Sequence, residues 1–496
     1  MKYLFYKILT VVILILSVSC VNNHKKSIEK NNKPNILFLL TDDHRFSAMG
    51  STGLENVKTP NIDKLAEAGT RFNNAYILGA QHGAVCSPSR AMLMTGKSFW
   101  NLPETITAMW SVPNQDRGKY QDITFPEVLR KNGYMNFTTG KHHNGELMVE
   151  NGFEAGKAIF SGGMATHFGI GVRDYTTKTG WSKKYAKKET YSSELFADAA
   201  IEFLQHSDTL QRPFMMYVPF TAPHDPRTAP EEYHQQYPAE NVTLPPNFME
   251  NHPFPKGEML IRDEMLAAYP RDPQEIKKHI ADYYAMITAT DHHIGRIIEA
   301  LKASGKMENT IIVFSGDNGL AVGQHGLMGK QDVYEHSVGV PLIFVGPGIP
   351  KNKKRDALVY LHDVFPTICE MTGLEIPETV ETQSMLAQIK DAANKGRERL
   401  FFTYTTWRQD KKEPRWMQRS IRDATWKLTL NMYEGKETVQ LFNLKESRWE
   451  TNNQASKAEM RPKIDSMRLK LMEHSLKVND SARYDLPNWG FPKFKR

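Results

Sequence analysis

Along this chain, short apolar runs end again and again in titratable residues. NILFLL at 35–40 passes directly into TDDH. YMNFTT at 134–139 passes into GKHH, PFMMYVPF at 213–220 into TAPHDP, and TIIVFS at 310–315 into GDNG. A fifth run, PLIFVG at 341–346, ends in Pro-Gly. Unbroken apolar runs of this length fit strands covered on both faces, as in a parallel sheet. Helical patterns lie between them. TPNIDKLAEAG has Thr59 as N-cap, Pro60 at the first helical position and Gly69 as the stop, and TFPEVLRKNG repeats that plan. Ile280, Tyr284, Ile287, Ile294, Ile298 and Leu301 form one face of a long helix. The alternation predicts an α/β fold with a large, mainly parallel sheet flanked by helices.

From about residue 390 the runs shorten to LFFTYTTW, ATWKLTLNMY and VQLFNL, which predict a smaller antiparallel sheet followed by a helix at 456–476. The body therefore divides into a catalytic domain at 34–389 and a C-terminal subdomain at 390–496. Residues 145–190 and 227–275 are polar and rich in Pro and Gly, and read as loop insertions that line a pocket.

Open α/β sheets form their sites outside the carboxyl ends of the strands. Four such ends bearing carboxylates, lysines and histidines point to one site. Asp42 and Asp43 adjoin at one end, and Asp317 and Asn318 at another. Three carboxylates and an amide oxygen suit a hard divalent cation, calcium or magnesium. They lack the thiolates and histidine cluster that zinc favours.

The formal net charge is +7, but its distribution argues against a nucleic-acid partner. Lys2, Lys7, Lys25, Lys26, Lys30 and Lys33 against Glu29 place +5 within residues 1–33, leaving +2 for the other 463 residues. Residues 1–20 combine a short basic start with an apolar run from Ile8 to Leu16 and end at Cys20 after small residues. That pattern reads as a bacterial lipoprotein signal. Lipid on Cys20 would anchor an exported protein to a membrane, facing the periplasm or the cell exterior, with 21–33 as a polar tether. Two further cysteines remain, of which Cys369 reads as a buried residue on a helix.

The other, Cys86, opens CSPSRAMLMTG at what reads as a helix start. This stretch matches C-x-P-S-R-x4-T-G and resembles the signature of formylglycine-dependent (type I) sulfatases, of the alkaline-phosphatase-like superfamily. NILFLLTDDHR, TPNIDKLAEAGTRFNNAY, GKHH, APHDP, FSGDNG and HGLMGKQDVYE are similar to sulfatase motifs in the same order, and the closing segments to the family's C-terminal subdomain. The resemblance implies that a maturation enzyme oxidises Cys86 to formylglycine. Its hydrated aldehyde would supply the nucleophile where a thiol would release sulfate poorly. A helix N-terminus there adds partial positive charge for an anion.

Carried over motif by motif, Asp42, Asp43, Asp317, Asn318 and the modified Cys86 would hold a calcium ion. Arg90 would orient the nucleophile, and Lys141 and Lys330 would neutralise sulfate oxygens. His143 would serve as base and His224 would protonate the leaving oxygen. The chemistry agrees, since a sulfate-ester transition state needs positive charge on its nonbridging oxygens and a proton on the departing alkoxide. The chain departs from the family in having Lys141-His142-His143 for Lys-Trp-His, so two histidines compete for one role, and Gly339 where many relatives have arginine. His325, His82, Arg45 and Arg227, with Trp100 and Arg408, are candidate substrate contacts. The expected substrate is a sulfated carbohydrate derived from a polysaccharide. The alternatives are a formylglycine-dependent phosphodiesterase or phosphonate monoester hydrolase, and an inactive glycan-binding lipoprotein.

Overall fold

The computed structural model describes residues 33–256, 259–407, 414–480, 482–484 and 486–490. The expected signal peptide, Cys20 and all but the end of the tether lie outside them, as does Arg408. Four of the apolar runs become strands β1 (Asn35–Thr41), β2 (Met135–His142), β3 (Phe214–Pro219) and β4 (Thr310–Gly316). They are adjacent in a ten-stranded sheet, in the order β4-β1-β3-β2, and every pairing among them is parallel. Their carboxyl ends therefore meet along one edge, and Thr41 pairs in register with Gly316. The fifth run, β5 (Leu342–Val345), pairs antiparallel with β4, so the sheet is mixed on that side.

Both faces of the sheet are covered, which is why β1, β3 and β4 are apolar along most of their length. Alternate residues of β1 enter different cores: Ile36, Phe38 and Leu40 pack on one side, Leu37 and Leu39 on the other. Helix α1 (Pro60–Ala68) begins at its proline and stops at Gly69, as its sequence signals. Helix α2 (Cys86–Thr95) is buried along its whole length. Helix α3 spans Phe125–Lys131, and the long α4 spans Pro273–Ala303. The Asp272 carboxylate caps α4 by accepting from the N–H groups of Gln274 and Glu275.

Four long strands, β6 (Leu400–Trp407), β7 (Pro414–Arg422), β8 (Trp426–Tyr433) and β9 (Lys436–Asn443), form the antiparallel sheet. Helix α5 (Arg461–Lys477) packs against it through Ile464, Met467 and Leu471. This sheet is joined to the first part of the chain, because Gly79–Ala80 adds a fifth strand beside β6. Glu335 strengthens the join: it accepts from Tyr76, Arg422, Lys427 and Arg448.

Candidate active site

The site grows from the ends of the four parallel strands. At the end of β1, Asp43 takes a left-handed backbone conformation (φ 64°), which breaks strand alternation and lets two successive carboxylates serve one cluster. The Asp43 N–H donates to Asp317 Oδ1 at 3.0 Å, and Asn318 Nδ2 donates to Asp43 Oδ1 at 2.7 Å. Asp42, Asp43, Asp317 and Asn318 are thus brought together and are fully buried.

Three buried cations answer the three carboxylates. Arg90, one turn into α2, donates from Nε to Asp317 Oδ2 at 2.7 Å and from Nη1 to the Lys141 carbonyl at 3.0 Å. Its Nη2 lies 3.8 Å from Asp42 Oδ1, too far for a hydrogen bond. Lys141 donates to Asp42, and Lys330 donates to Asp43 Oδ1 at 2.6 Å. Their ammonium groups also lie 3.8 and 4.0 Å from the sulfur of Cys86. Cys86 is the first residue of α2, and its sulfur is 3.3 Å from His143 Nδ1. On the far side, His224 Nδ1 is 2.7 Å from the Asp225 carbonyl, and its Nε2 is 3.7 Å from Asp43 Oδ2.

Burial dominates the electrostatics. It lifts the Asp42 carboxyl to about 8, with the neighbouring Asp317 charge adding to the effect. Burial also raises Asp43. Burial would lift Asp317 too, but Arg90 and both lysines override it and hold that group near 2. The Cys86 thiol is pushed by burial to about 11 despite the two lysines, so the unmodified side chain is a protonated, weak nucleophile at neutral pH. His143 is held neutral by burial and by Lys141, and His224 by burial and by Lys330.

The donor set fits a hard cation. Asp42 Oδ1, Asp43 Oδ2 and Asn318 Oδ1 are buried oxygens without a hydrogen-bond partner, a costly state unless a cation takes them. Ligand atoms of Asp42, Cys86 and Asp317 lie within 4.8 Å of one another.

Several expected substrate contacts fall elsewhere. Arg45 is locked to Glu55 by hydrogen bonds of 2.8 and 2.5 Å and to the carbonyls of Leu320 and Ala321. It lines a separate cavity of about 330 Å³ that does not include Cys86. Its N–H donates to Tyr283 Oη, which donates to the Asp43 carbonyl, so Arg45 braces the site from behind. His325 stacks on Tyr334 at 3.9 Å, with Nε2 3.2 Å from the Glu450 carbonyl. Trp100 packs on Phe99. Arg227, by contrast, stays near the site: its Nη1 is 3.2 Å from His279 Nδ1, its buried Nε and Nη2 have no hydrogen-bond partner, and its charge acts on Asp225, Asp263 and Asp43. His142 resolves by strand alternation: it points away from Lys141 and His143, bonds Thr138 at 2.8 Å and packs edge-on to Tyr217.

The pocket over Cys86 encloses about 290 Å³. Its wall includes Trp110, Met164, Arg262, Asp263 and Gln331, none of them singled out by the sequence. His82 stands just behind, its ring 4.5 Å from that of Trp110. Met164 and Arg262 lie in the two insertions expected to line a pocket.

Comparison with known proteins places these features in context. The sulfatase family profile matches residues 34–374, and that of the N-sulphoglucosamine sulphohydrolase C-terminal region matches 323–477. An N-acetylglucosamine-6-O-sulfatase of Bacteroides thetaiotaomicron is 26% identical, covering 92% of this chain and 88% of its own. A solved structure of a protein in complex with its substrate D-glucosamine-2-N,6-O-disulfate superposes with TM-score 0.73 and 25% identity, covering 92% of this chain and 99% of the other. A phosphonate monoester hydrolase of Agrobacterium radiobacter shares the fold at TM-score 0.69 and 20% identity, covering 93% and 100%.

Proposed function

The chain belongs to the sulfatase family, the hydrolases of sulfate esters, and from that premise we propose that it removes sulfate from a carbohydrate by way of formylglycine at Cys86. The observation that carries this reading is the convergence on Cys86 of two lysines, a neutral histidine and a helix N-terminus. A thiol held near 11 is poorly suited to attack, whereas a hydrated aldehyde at this position offers one hydroxyl as nucleophile and a second through which sulfate is released.

Asp42, Asp43, Asp317 and Asn318, with the modified Cys86, would hold a calcium ion, which would supply positive charge to a sulfate oxygen. Pairing of the carboxylates with a cation would free Lys141 and Lys330, now bound to Asp42 and Asp43, to face the other oxygens. Arg90 fixes Asp317 and the start of α2 in one frame. His143, adjoining the Cys86 side chain and held neutral, takes a proton there as the bond to sulfate breaks. His224 gives a proton to the departing sugar oxygen. To do so it must first gain one, and the negative charge of a bound sulfate opposes the lysines that keep it neutral.

The sugar substrate is supported by the relatives named above, which include an N-acetylglucosamine-6-O-sulfatase. Release of inorganic sulfate from a panel of defined sulfated oligosaccharides tests the reading, with Cys86→Ala as control. Faster cleavage of aryl phosphate diesters than of every sulfate ester would instead favour the phosphonate-hydrolase alternative. The family's need for a maturation enzyme applies here as well. We also propose, from the pattern ending at Cys20, export as a lipoprotein facing the periplasm or cell exterior.

A further inference from the structure

The cavity of about 330 Å³ that includes Arg45 shares no lining residue with the pocket over Cys86. Its size falls within the usual span of small-ligand sites, roughly 300–1,000 Å³. It is built by the loop after β1, by residues 236–246 of the second insertion, by Tyr284 of α4 and by Trp449 of the C-terminal subdomain. Leu54, Asn56, Gln236 and Asn241 are exposed at its mouth, so it opens to solvent.

Its aromatic side chains are fixed before any ligand arrives. Tyr284 Oη donates to Glu55 Oε2 at 2.7 Å. Tyr237 Oη accepts the Lys58 N–H at 2.8 Å and lies 2.6 Å from Thr288 Oγ1. The two rings meet at 64°, with centroids 5.6 Å apart. With both hydroxyls engaged on the protein, these tyrosines offer the cavity ring surface at little further cost in entropy. Part-buried Trp449 adds a third aromatic face.

The polar groups of the lining divide into spent and free. Arg45 and Glu55 neutralise each other. Among the described residues, the side-chain amides of Asn56 and Asn241 and the Lys58 ammonium make no hydrogen bond or ion pair. Lys58 Nζ instead lies over the Tyr237 ring, 5.7 Å from its centroid. Glu240 does not line the cavity, and Arg448, beside Trp449, donates to Glu335. Lys58 is therefore the uncompensated charge of the lining.

Fixed aromatic faces, free amides and one free ammonium match the mixed surface of a sulfated pyranose. Its C–H patches pack on rings, its hydroxyls exchange hydrogen bonds with amides, and its sulfate pairs with the ammonium. A purely apolar ligand would leave the polar groups unused, and a bare anion would leave the rings unused. We propose that this cavity is a second, noncatalytic glycan site, which holds one sulfated sugar ring against Trp449 and the two tyrosines with its sulfate at Lys58. The proposal goes beyond the sulfatase reading and stands without it, because the two cavities are separate.

The test is amide hydrogen exchange on the full chain, titrated with 6-O-sulfated N,N′-diacetylchitobiose and with the unsulfated disaccharide. The sulfated sugar should protect residues 54–58 and 236–246 at lower concentration than the unsulfated one. Trp449→Ala should raise the concentration needed by about tenfold or more. Lys58→Gln should remove the preference for the sulfated form. Asn56→Trp, a change at the exposed mouth that leaves the core intact, should block the cavity and abolish the protection. All three variants should keep kcat on 4-nitrophenyl sulfate within about twofold of wild type, which also shows that they fold. Protection confined to segments around Cys86, or protection at 236–246 that survives both Trp449→Ala and Asn56→Trp, would overturn the site. The two readings fail separately. Protection of this pattern in matured protein that releases sulfate from no ester would remove the sulfatase reading and leave the glycan site standing. Sulfate release without protection at 54–58 and 236–246 would do the reverse.

Discussion

Nδ1 of His143 lies 3.3 Å from the sulfur of Cys86, inside a pocket where burial and Lys141 keep the imidazole neutral. A neutral ring in contact with residue 86 is placed to handle protons on whatever that residue becomes. It is not placed to serve the leaving group. His143→Ala should therefore lower kcat by about 10²–10⁴, the usual span for a positioned proton-transfer group, and by similar factors for good and poor leaving groups. A loss confined to poor leaving groups would move His143 to the acid role.

Peptide mass spectrometry of active protein should find formylglycine or its hydrate at Cys86. Protein expressed without a maturation system should keep the thiol and lose nearly all sulfate release, since a thiol pushed to about 11 is protonated at neutral pH. Full activity with an intact thiol would end the proposed mechanism.

The orphaned oxygens of Asp42, Asp43 and Asn318 predict a cation that binds the folded chain and not the unfolded one. Chelation should abolish activity, and calcium should restore it and raise Tm in a concentration-dependent way. In Asp42→Asn that calcium-dependent rise should shrink or vanish. A Tm insensitive to calcium in a sample verified to be metal-free would contradict the site.

The fold and the centre of the site were legible because both depend on local pattern. The buried parallel strands β1, β3 and β4 are apolar along most of their length, and the residues at the ends of β1, β2, β3 and β4 had to share an edge once those strands lay parallel. Orientation was less accessible: the run at Leu342–Val345 reads the same in either direction, and the structure makes it antiparallel. His142 carried a usable signal in strand alternation, which sets it opposite Lys141 and His143. Arg45 carried none, because its tie to Glu55 is made by a loop with no periodicity. Trp110, Arg262 and Asp263 were hidden for the same reason: irregular segments far apart in sequence meet only after the sheet has formed.

Glu450 gives a prediction about stability. Burial lifts its carboxyl to about 7, opposed by Lys427 and reinforced by Glu335. Lys427 Nζ is 2.9 Å from Glu450 Oε1, but that oxygen has no aligned hydrogen bond, so the pair is a poor compensation. The sign follows from linkage. A carboxyl raised above its unfolded value of 4.5 binds more protons folded than unfolded, so it costs stability as pH rises from about 4.5 to about 7, and the full cost persists above. Glu450→Gln should raise Tm at pH 8, by an amount worth about 1–3 kcal/mol, and change it little near pH 4.5. A larger gain at the acidic end would refute the assignment.

Cys20→Ala should abolish lipid labelling and release the protein from the membrane fraction without changing kcat. If the substituted protein still carries lipid, the lipoprotein proposal is wrong.

His224 separates acid catalysis from sulfate binding. Its Nδ1 is held 2.7 Å from the Asp225 carbonyl, which fixes a proton on that nitrogen and leaves Nε2 as the site that gains and gives one. Proton donation matters in proportion to the basicity of the departing oxygen. A sugar alkoxide needs the proton, whereas a nitrophenolate is stable without it. His224→Ala should lower kcat by about 10²–10⁴ on a sugar sulfate and by less than about tenfold on 4-nitrophenyl sulfate. Lys330→Ala should depress both, because both substrates present the same sulfate oxygens to the ammonium beside Cys86. The comparison requires single-turnover rates, so that release of the leaving group is what is measured. Equal losses on both substrates in His224→Ala would remove it from the acid role. His325 would not then inherit that role, since its ring is stacked on Tyr334 and its Nε2 is directed to the Glu450 carbonyl. The proton would have to come from water.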